Sequence, residues 1–261
     1  MMKLVHLSDL HFGAHDDQVV CNTLDAISSH NPDMVIVSGD FTQSGTSTEF
    51  QQARQFLQDL QVPFFCVPGN HDVPQRNIIK RFVNPYERYK EYITNDLCPV
   101  FENDHILLAG VNSARRFLPH WNWANGAVST QQLEFLRHSF ETQIGIKNKW
   151  RVCTFHHPVH EAHDMPLDVT VFGGKALMRC MAELKIDLVL TGHVHHASIT
   201  TRGDHEHQCI YLSASTALST RLRGHENGFN VITLNGSVME IDIFALQGHH
   251  FEKIQQYKKT H

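Results

Sequence analysis

The sequence predicts an α/β fold in a single domain, residues 1–261, with two packed sheets flanked by helices. Three observations predict it. Short β-rich runs alternate with amphipathic helical patterns as far as Gly192. Beyond Gly192 the pattern changes to strands separated by turns. No repeat and no low-complexity linker divides the chain. Strands that alternate with helices imply parallel βαβ units and a sheet buried on both faces.

The first strand is expected over residues 4–7. A helix follows over 16–29, with Val19, Val20, Leu24 and Ile27 on its apolar side. The second strand, 34–38, leads to a helix over 46–60. That helix opens on Thr46 and Glu49, the spacing of a capping box, and continues with Phe50, Ala53, Phe56, Leu57 and Leu60 on one face. Further strands are expected over 64–67, 106–112, 151–155 and 187–190, and further helices over 129–140 and 174–184. The late strands read as "ASITTRG", "QCIYLSAS", "GFNVITLNG" and "SVMEIDIFAL", with a turn at Asn235-Gly236. The segment 251–257 fits a strand or a short helix.

Composition narrows the classes. The length allows a sizeable core. The formal net charge is −5, which argues against a broad basic surface for nucleic acid. No apolar run approaches the roughly 20 residues of a membrane span. The start of the chain enters a strand pattern without a signal-peptide segment, so a cytoplasmic location is expected. The six cysteines are scattered, several of them inside apolar runs, and read as buried free thiols. Histidine stands out at 21 residues. The informative ones lie where strands end.

Five expected strands run into polar clusters. The first ends in Asp9 and His11, the second in Asp40, and the third in Asn70, His71 and Asp72. Two later strands end in His156-His157 and in His193 and His195. Ligands of open α/β sheets bind beyond the carboxyl ends of the strands, so these groups should gather on one rim. The set offers carboxylate, imidazole and amide oxygen without thiolate. It suits divalent Mn, Fe, Zn, Ni or Co better than a structural zinc, and it is large enough for two ions. Gly39, Gly69 and Gly192 beside these groups allow sharp turns and close backbone approach. Each piece alone has an ordinary explanation as a turn. All of them together, in this order at strand ends, do not.

In this order the motifs resemble the calcineurin-like metallophosphoesterase superfamily: Asp9-Leu10-His11, Gly39-Asp40, Gly69-Asn70-His71-Asp72, His156, and Gly192-His193-Val194-His195. The resemblance implies a four-layer α/β/β/α sandwich. It also implies two divalent metal ions, with Mn or Fe leading and Zn, Co or Ni as alternatives. Asp9, His11, Asp40 and His195 would hold one ion. Asp40, Asn70, His156 and His193 would hold the other, with Asp40 bridging. His71 would contact the phosphoryl oxygen or protonate the leaving group, and Asp72 would orient His71. Of the two histidines in "FHHP", the family pattern selects His156, which leaves His157 a supporting or structural place. The implied reaction is attack of a metal-bridging hydroxide on a phosphodiester.

The spacing most resembles the bacterial class III cyclic-nucleotide phosphodiesterase-like branch, which implies a small-molecule 3′,5′-cyclic nucleotide or a related diester. UDP-2,3-diacylglucosamine hydrolases of lipid A synthesis are an alternative. So is a non-catalytic scaffold, of the kind a retromer subunit represents. Arg115, Arg116 and Trp121 in the 111–126 loop are candidate substrate contacts, as is Trp123. The competing reading is a surface loop whose tryptophans cap the core. The basic, aromatic stretch 72–92 is a candidate far wall of the pocket. A homodimer stays open.

Overall fold

A computed structural model describes residues 1–75, 78–115, 125–141, 149–159 and 171–260. The first half runs β1 (Met2–Leu7), α1 (Asp17–His30), β2 (Met34–Val37), α2 (Ser47–Asp59), β3 (Phe64–Cys66), α3 (Ile78–Val83), α4 (Glu87–Tyr92), β4 (Val100–Glu102) and β5 (Ile106–Gly110). It continues with β6 (Gly126–Ala127), α5 (Thr130–Glu141), β7 (Trp150–Thr154), β8 (Val171–Phe172), α6 (Gly174–Glu183) and β9 (Leu188–Thr191). The β-rich ending is β10 (Ser198–Gly203), β11 (Gln208–Ser213), β12 (Gly228–Asn235), β13 (Val238–Gln247) and β14 (His250–Thr260). The segment that fitted strand or helix is thus a strand.

Two six-stranded sheets result, ordered β14-β13-β12-β1-β2-β3 and β10-β11-β9-β7-β5-β4. The expected parallel units are present: β1, β2 and β3 pair in parallel, and so do β11, β9, β7 and β5. The strands of the ending pair as antiparallel neighbours, β10 with β11 and β12 with β13 with β14.

Alternation along the strands builds four layers. Val5, Leu7, Val35 and Val37 face outward onto Phe50, Ala53, Phe56 and Leu57 of α2 and Ile27 of α1. Their neighbours Leu4, Met34 and Ile36 face inward and meet Ile106, Leu108, Val152, Leu188 and Leu190 of the other sheet. On that sheet, Leu107, Ala109, Cys153 and Val189 face outward onto Leu136 and Phe140 of α5 and Leu177 and Met181 of α6. The apolar residues of the central strands are therefore buried on one side or the other, at about 1.5–3 kcal/mol for a large aliphatic or aromatic side chain. The four-layer α/β/β/α sandwich is the architecture found. Cys66, Cys153, Cys180 and Cys209 are buried as free thiols, while Cys21 is exposed. Among the described residues no helix is long and apolar enough to cross a membrane.

Candidate metal centre

The parallel strands end on the same side, and the loops after them are joined backbone to backbone. The Asp9 N–H donates to the Gly39 carbonyl at 3.0 Å, and the His11 N–H to the Asp40 carbonyl at 3.0 Å. From the second sheet, the His193 N–H donates to Asp9 Oδ2 at 2.9 Å. Close approach needs glycine at two of these points. Gly39 has φ +103, and a Cβ there would lie 2.7 Å from His156 Nδ1. A Cβ on Gly192 would lie 1.7 Å from Ser8 Oγ and 2.5 Å from Asp9 Oδ2.

Asp9, His11, Asp40, His193 and His195 have φ of 54, 49, 56, 71 and 58°. Left-handed backbone costs a non-glycine residue about 1–2 kcal/mol. The turns that aim these side chains inward therefore hold strain, as functional sites commonly do.

Seven side chains expected as ligands converge and are buried: Asp9, His11, Asp40, Asn70, His156, His193 and His195. His195 Nε2 lies 3.2 Å from Asp9 Oδ1, and His11 Nε2 lies 3.6 Å from that oxygen and 3.7 Å from Asp40 Oδ2. His156 Nε2 lies 3.2 Å from Asp40 Oδ2 and 3.1 Å from Asn70 Oδ1. Asp40 thus stands between the two groups. Several ring nitrogens face each other: His11 Nε2 and His195 Nε2 at 3.0 Å, and His193 Nδ1 and His156 Nε2 at 3.3 Å. Asp9 Oδ1 is buried with no hydrogen-bond donor. Converging lone pairs around a donorless buried carboxylate oxygen are costly without a cation. The donor set therefore fits divalent ions, and thiolate is absent from it.

Backbone carbonyls fix the ring orientations. His156 Nδ1 lies 2.8 Å from the Ser38 carbonyl, and His195 Nδ1 lies 2.9 Å from the Arg221 carbonyl. Each Nδ1–H donates there, which leaves Nε2 as the ring atom aimed inward. His71 Nδ1 likewise lies 2.7 Å from the Gln43 carbonyl. The His71 ring meets His11 edge-on, with centroids 4.8 Å apart.

Asp72 does not orient the His71 ring, contrary to expectation. Its Oδ1 accepts from the Thr42 N–H at 3.0 Å and the Thr42 hydroxyl at 3.1 Å, and its Oδ2 accepts from the Gly69 N–H at 2.8 Å. Asp72 therefore braces the turn that carries Asn70 and His71. The carbonyl of Gln43 and the side-chain amide of Gln75, each 2.7 Å from His71 Nδ1, are what orient His71. His157 sits beside the centre with Nδ1 2.8 Å from Ser113 Oγ, its ring 4.6 Å from that of His193. Its nearest ring nitrogen, together with those of His156 and His193, forms a further group close enough to hold an ion.

Of the expected substrate contacts, Arg115 is bound within its own loop. Its guanidinium donates to the carbonyls of Asn112 at 3.0 Å and Ala114 at 3.1 Å, and to Gln132 Oε1. Arg116, Trp121 and Trp123 lie outside the described residues. The 72–92 stretch packs on the loop that carries Arg115: Tyr86 Oη donates to the Ala114 carbonyl at 2.7 Å, and Tyr89 is buried in the core.

Electrostatics follow from the dry packing. Burial raises the Asp9 carboxyl, yet His195, His11 and His156 around it hold it well below the ordinary carboxylate range. Asp40 is also held low, against burial, by His156, His71 and His11. Burial opposes the charge on His156, but Asp40 and Asp9 push it up to about 9. Burial and then the charge of His156 press His193 down to about 3. Asp72 rises to about 7 because it is buried and lies near Asp40.

Sequence reasoning missed the Ser38, Gln43 and Arg221 carbonyls, since a backbone acceptor leaves no signature in residue type. It also missed Arg221 and Arg223 in "STRLRG", which stand in a turn beyond a strand end where paired arginines are a readable signal.

A family model described as calcineurin-like phosphoesterase matches residues 2–197, and the chain belongs to that family. It is 31% identical, over 65% of its length and 59% of the relative's, to a protein of Arcobacter nitrofigilis named "Probable glycerophosphodiester phosphodiesterase GpdQ". It is 23% identical to a protein of Vesicomyosocius okutanii named "Probable cyclic nucleotide phosphodiesterase", over 89% of this chain and 93% of that one. The chain thus spans 59% of the Arcobacter relative, and only 30% of a second GpdQ, from Enterobacter lignolyticus. In fold it is similar to a dimetal phosphatase from Danio rerio, with a TM-score of 0.73 and 13% identity over 99% of this chain and 98% of that one.

Proposed function

We propose that the protein is a metal-dependent phosphodiesterase acting on a small-molecule phosphodiester, with a 3′,5′-cyclic nucleotide as the leading substrate. The observation that carries this reading is the convergence of the seven ligand side chains, with Asp40 between the two groups and His71 at their edge. Asp9, His11, Asp40 and His195 would hold one divalent ion, and Asp40, Asn70, His156 and His193 the other. Such ions supply Lewis-acid charge that neutralises phosphoryl oxygens and activates water.

The residues of the chain do the rest. The carbonyls of Ser38 and Arg221 keep the His156 and His195 lone pairs inward. The bond from His71 Nδ1–H to Gln43 leaves Nε2 as the atom turned toward the leaving oxygen; burial holds this ring below the ordinary imidazole range, so Nε2 would take up a proton before giving it to the leaving oxygen. Asp40 Oδ1 accepts the His71 N–H at 2.8 Å, which ties this residue to the ligand cluster. Asp72 and Thr42 keep the turn from shifting.

The names of the relatives favour cyclic nucleotides and glycerophosphodiesters as the two diester classes to compare. The full set of ligand side chains argues against a purely scaffolding role.

The test is a hydrolysis screen with Mn over cyclic nucleotides, glycerophosphodiesters, phosphomonoesters and UDP-diacylglucosamine. H71A should lower diester turnover about 10²–10⁴-fold while keeping its metal content. Equal turnover of bis(p-nitrophenyl) phosphate by H71A and wild type sinks the role given to His71. Fewer than one ion bound per chain at saturating Mn sinks the metal centre.

A further inference from the structure

The turn between β11 and β12 places Arg221 and Arg223 at the mouth of the buried centre. Both are exposed. The Arg221 carbonyl receives His195 Nδ1–H, and its guanidinium reaches across to Gln43 Oε1 at 3.1 Å. That same Gln43 orients His71 through its carbonyl. On the other side, Arg223 Nη1 donates to the His193 carbonyl at 3.4 Å. Arg223 is held in left-handed backbone, φ 51°, and is followed by Gly224 at φ +86°. One guanidinium therefore lies beside the proton-carrying residue, and the other lies against the backbone of a ligand.

The charges around this pair are unbalanced. Among the described residues neither arginine forms an ion pair with a carboxylate; their hydrogen-bond partners are an amide oxygen and a carbonyl. Other cations of the chain do find acids, as Arg137 finds Glu183 and Lys149 finds Glu102. The two arginines are also close enough to repel. Partial burial, and then the charge of Arg221, hold the Arg223 guanidinium below its ordinary value, opposed by Asp9 and Asp40. Arg221 adds to the effects that lower His71, after burial and with His11. Two like charges kept together at a site mouth, with no carboxylate in an ion pair with either among the described residues, are complementary to an anion from outside. Guanidinium forks match phosphoryl oxygens in shape as well as charge.

Resting on the phosphodiesterase reading, we infer that Arg221 and Arg223 form a phosphate-binding rim, separate from the metal ligands, that grips anionic phosphoryl oxygens of the substrate and product. The phosphoryl group gripped is either the one under attack or a second one on the same molecule, and the test separates these.

Binding of thymidine 5′-monophosphate and of inorganic phosphate is measured by calorimetry, with Mn and again in EDTA, for wild type, R221A/R223A and R221K/R223K. The alanine pair should bind at least tenfold more weakly in both conditions, with unchanged Mn content, and the lysine pair should recover part of the loss. Hydrolysis is then compared for thymidine 5′-(p-nitrophenyl phosphate) and the same ester bearing a 3′-phosphate. KM should rise at least tenfold in the alanine pair, with kcat changed by less than threefold. An equal rise for both esters places the reacting phosphoryl group on the arginines. A larger rise for the 3′-phosphorylated ester places the second phosphate there. Equal affinities and equal KM values in wild type and variant overturn the inference. A wild type that binds phosphate through these arginines yet hydrolyses neither ester overturns the phosphodiesterase reading and leaves the rim standing. R223Q alone repeats the measurement if the double variant does not fold.

Discussion

His6 shows how one residue fixes the ground beneath the centre. It lies on β1, fully buried, three residues before Asp9. Its Nδ1 accepts from Asn230 Nδ2 at 3.1 Å, and its Nε2–H donates to Ser38 Oγ at 2.9 Å. Ser38 in turn offers its carbonyl to His156. Burial, opposed by Asp9, pushes His6 down to about 3 from the ordinary 6.5. Between those values the unfolded chain binds the proton and the folded chain does not, so stability falls as pH falls through 6.5. The slope approaches about 1.4 kcal/mol per pH unit. H6Q should remove it, so that the loss of unfolding free energy from pH 6.5 to 4.5 shrinks by about 2 kcal/mol in urea titrations with EDTA. Parallel losses in H6Q and wild type would mean that His6 does not carry this dependence. The sequence announced Asp9 and His11 at a strand end. It gave no sign of His6, whose partners lie on β12 and beyond β2.

At the scale of elements, legibility depended on how local the stabilising contacts are. The Thr46–Glu49 capping box could be read because its bonds close within four residues. The Glu49 N–H donates to Thr46 Oγ1 at 3.3 Å, and Glu49 Oε2 accepts from the Thr46 N–H at 3.0 Å. Glu49 Oε2 also takes the Ser44 N–H at 2.9 Å, so the cap extends into the loop after Asp40. T46A should cost about 1 kcal/mol of stability, read from a urea midpoint shift at constant slope. A change under 0.3 kcal/mol would show the cap to be idle. The short helices α3 and α4 were read only as a basic, aromatic stretch. Each is six residues long, too short for periodicity to register, and Tyr89 is fixed by distant contact with Phe41. Strand β14 stayed ambiguous for a related reason. Its residues are mostly exposed, and its identity comes from pairing with β13 along Val238–Gln247, with an irregularity at Ile243/Phe244. The ligand side chains were legible because strand ends carry them in order, but the carbonyls that aim them were not.

At the scale of the whole molecule, the centre joins the two sheets. Asp9, His11, Asp40 and Asn70 follow strands of the first sheet, whereas His156, His193 and His195 follow strands of the second. The inner layer, with Leu4, Ile36, Val152, Leu190 and Ile232, belongs to both. Unfolding should therefore be one cooperative transition, because neither sheet keeps its inner face covered without the other. The ligand atoms converge only in the folded chain, so divalent ions bind the native state and shift its stability by mass action. At 100 times the dissociation constant the gain is about 2.7 kcal/mol. For a chain of this size that raises the melting temperature by about 5–10 °C. Calorimetric scans in EDTA and in Mn should show a single transition that moves upward with Mn. D40N, which alters the carboxylate between the two groups, should lose most of the shift. A melting temperature indifferent to Mn would show that these buried carboxylates and imidazoles are satisfied by protons alone. Two separate transitions would show that the sheets unfold independently and that the ions do not couple them.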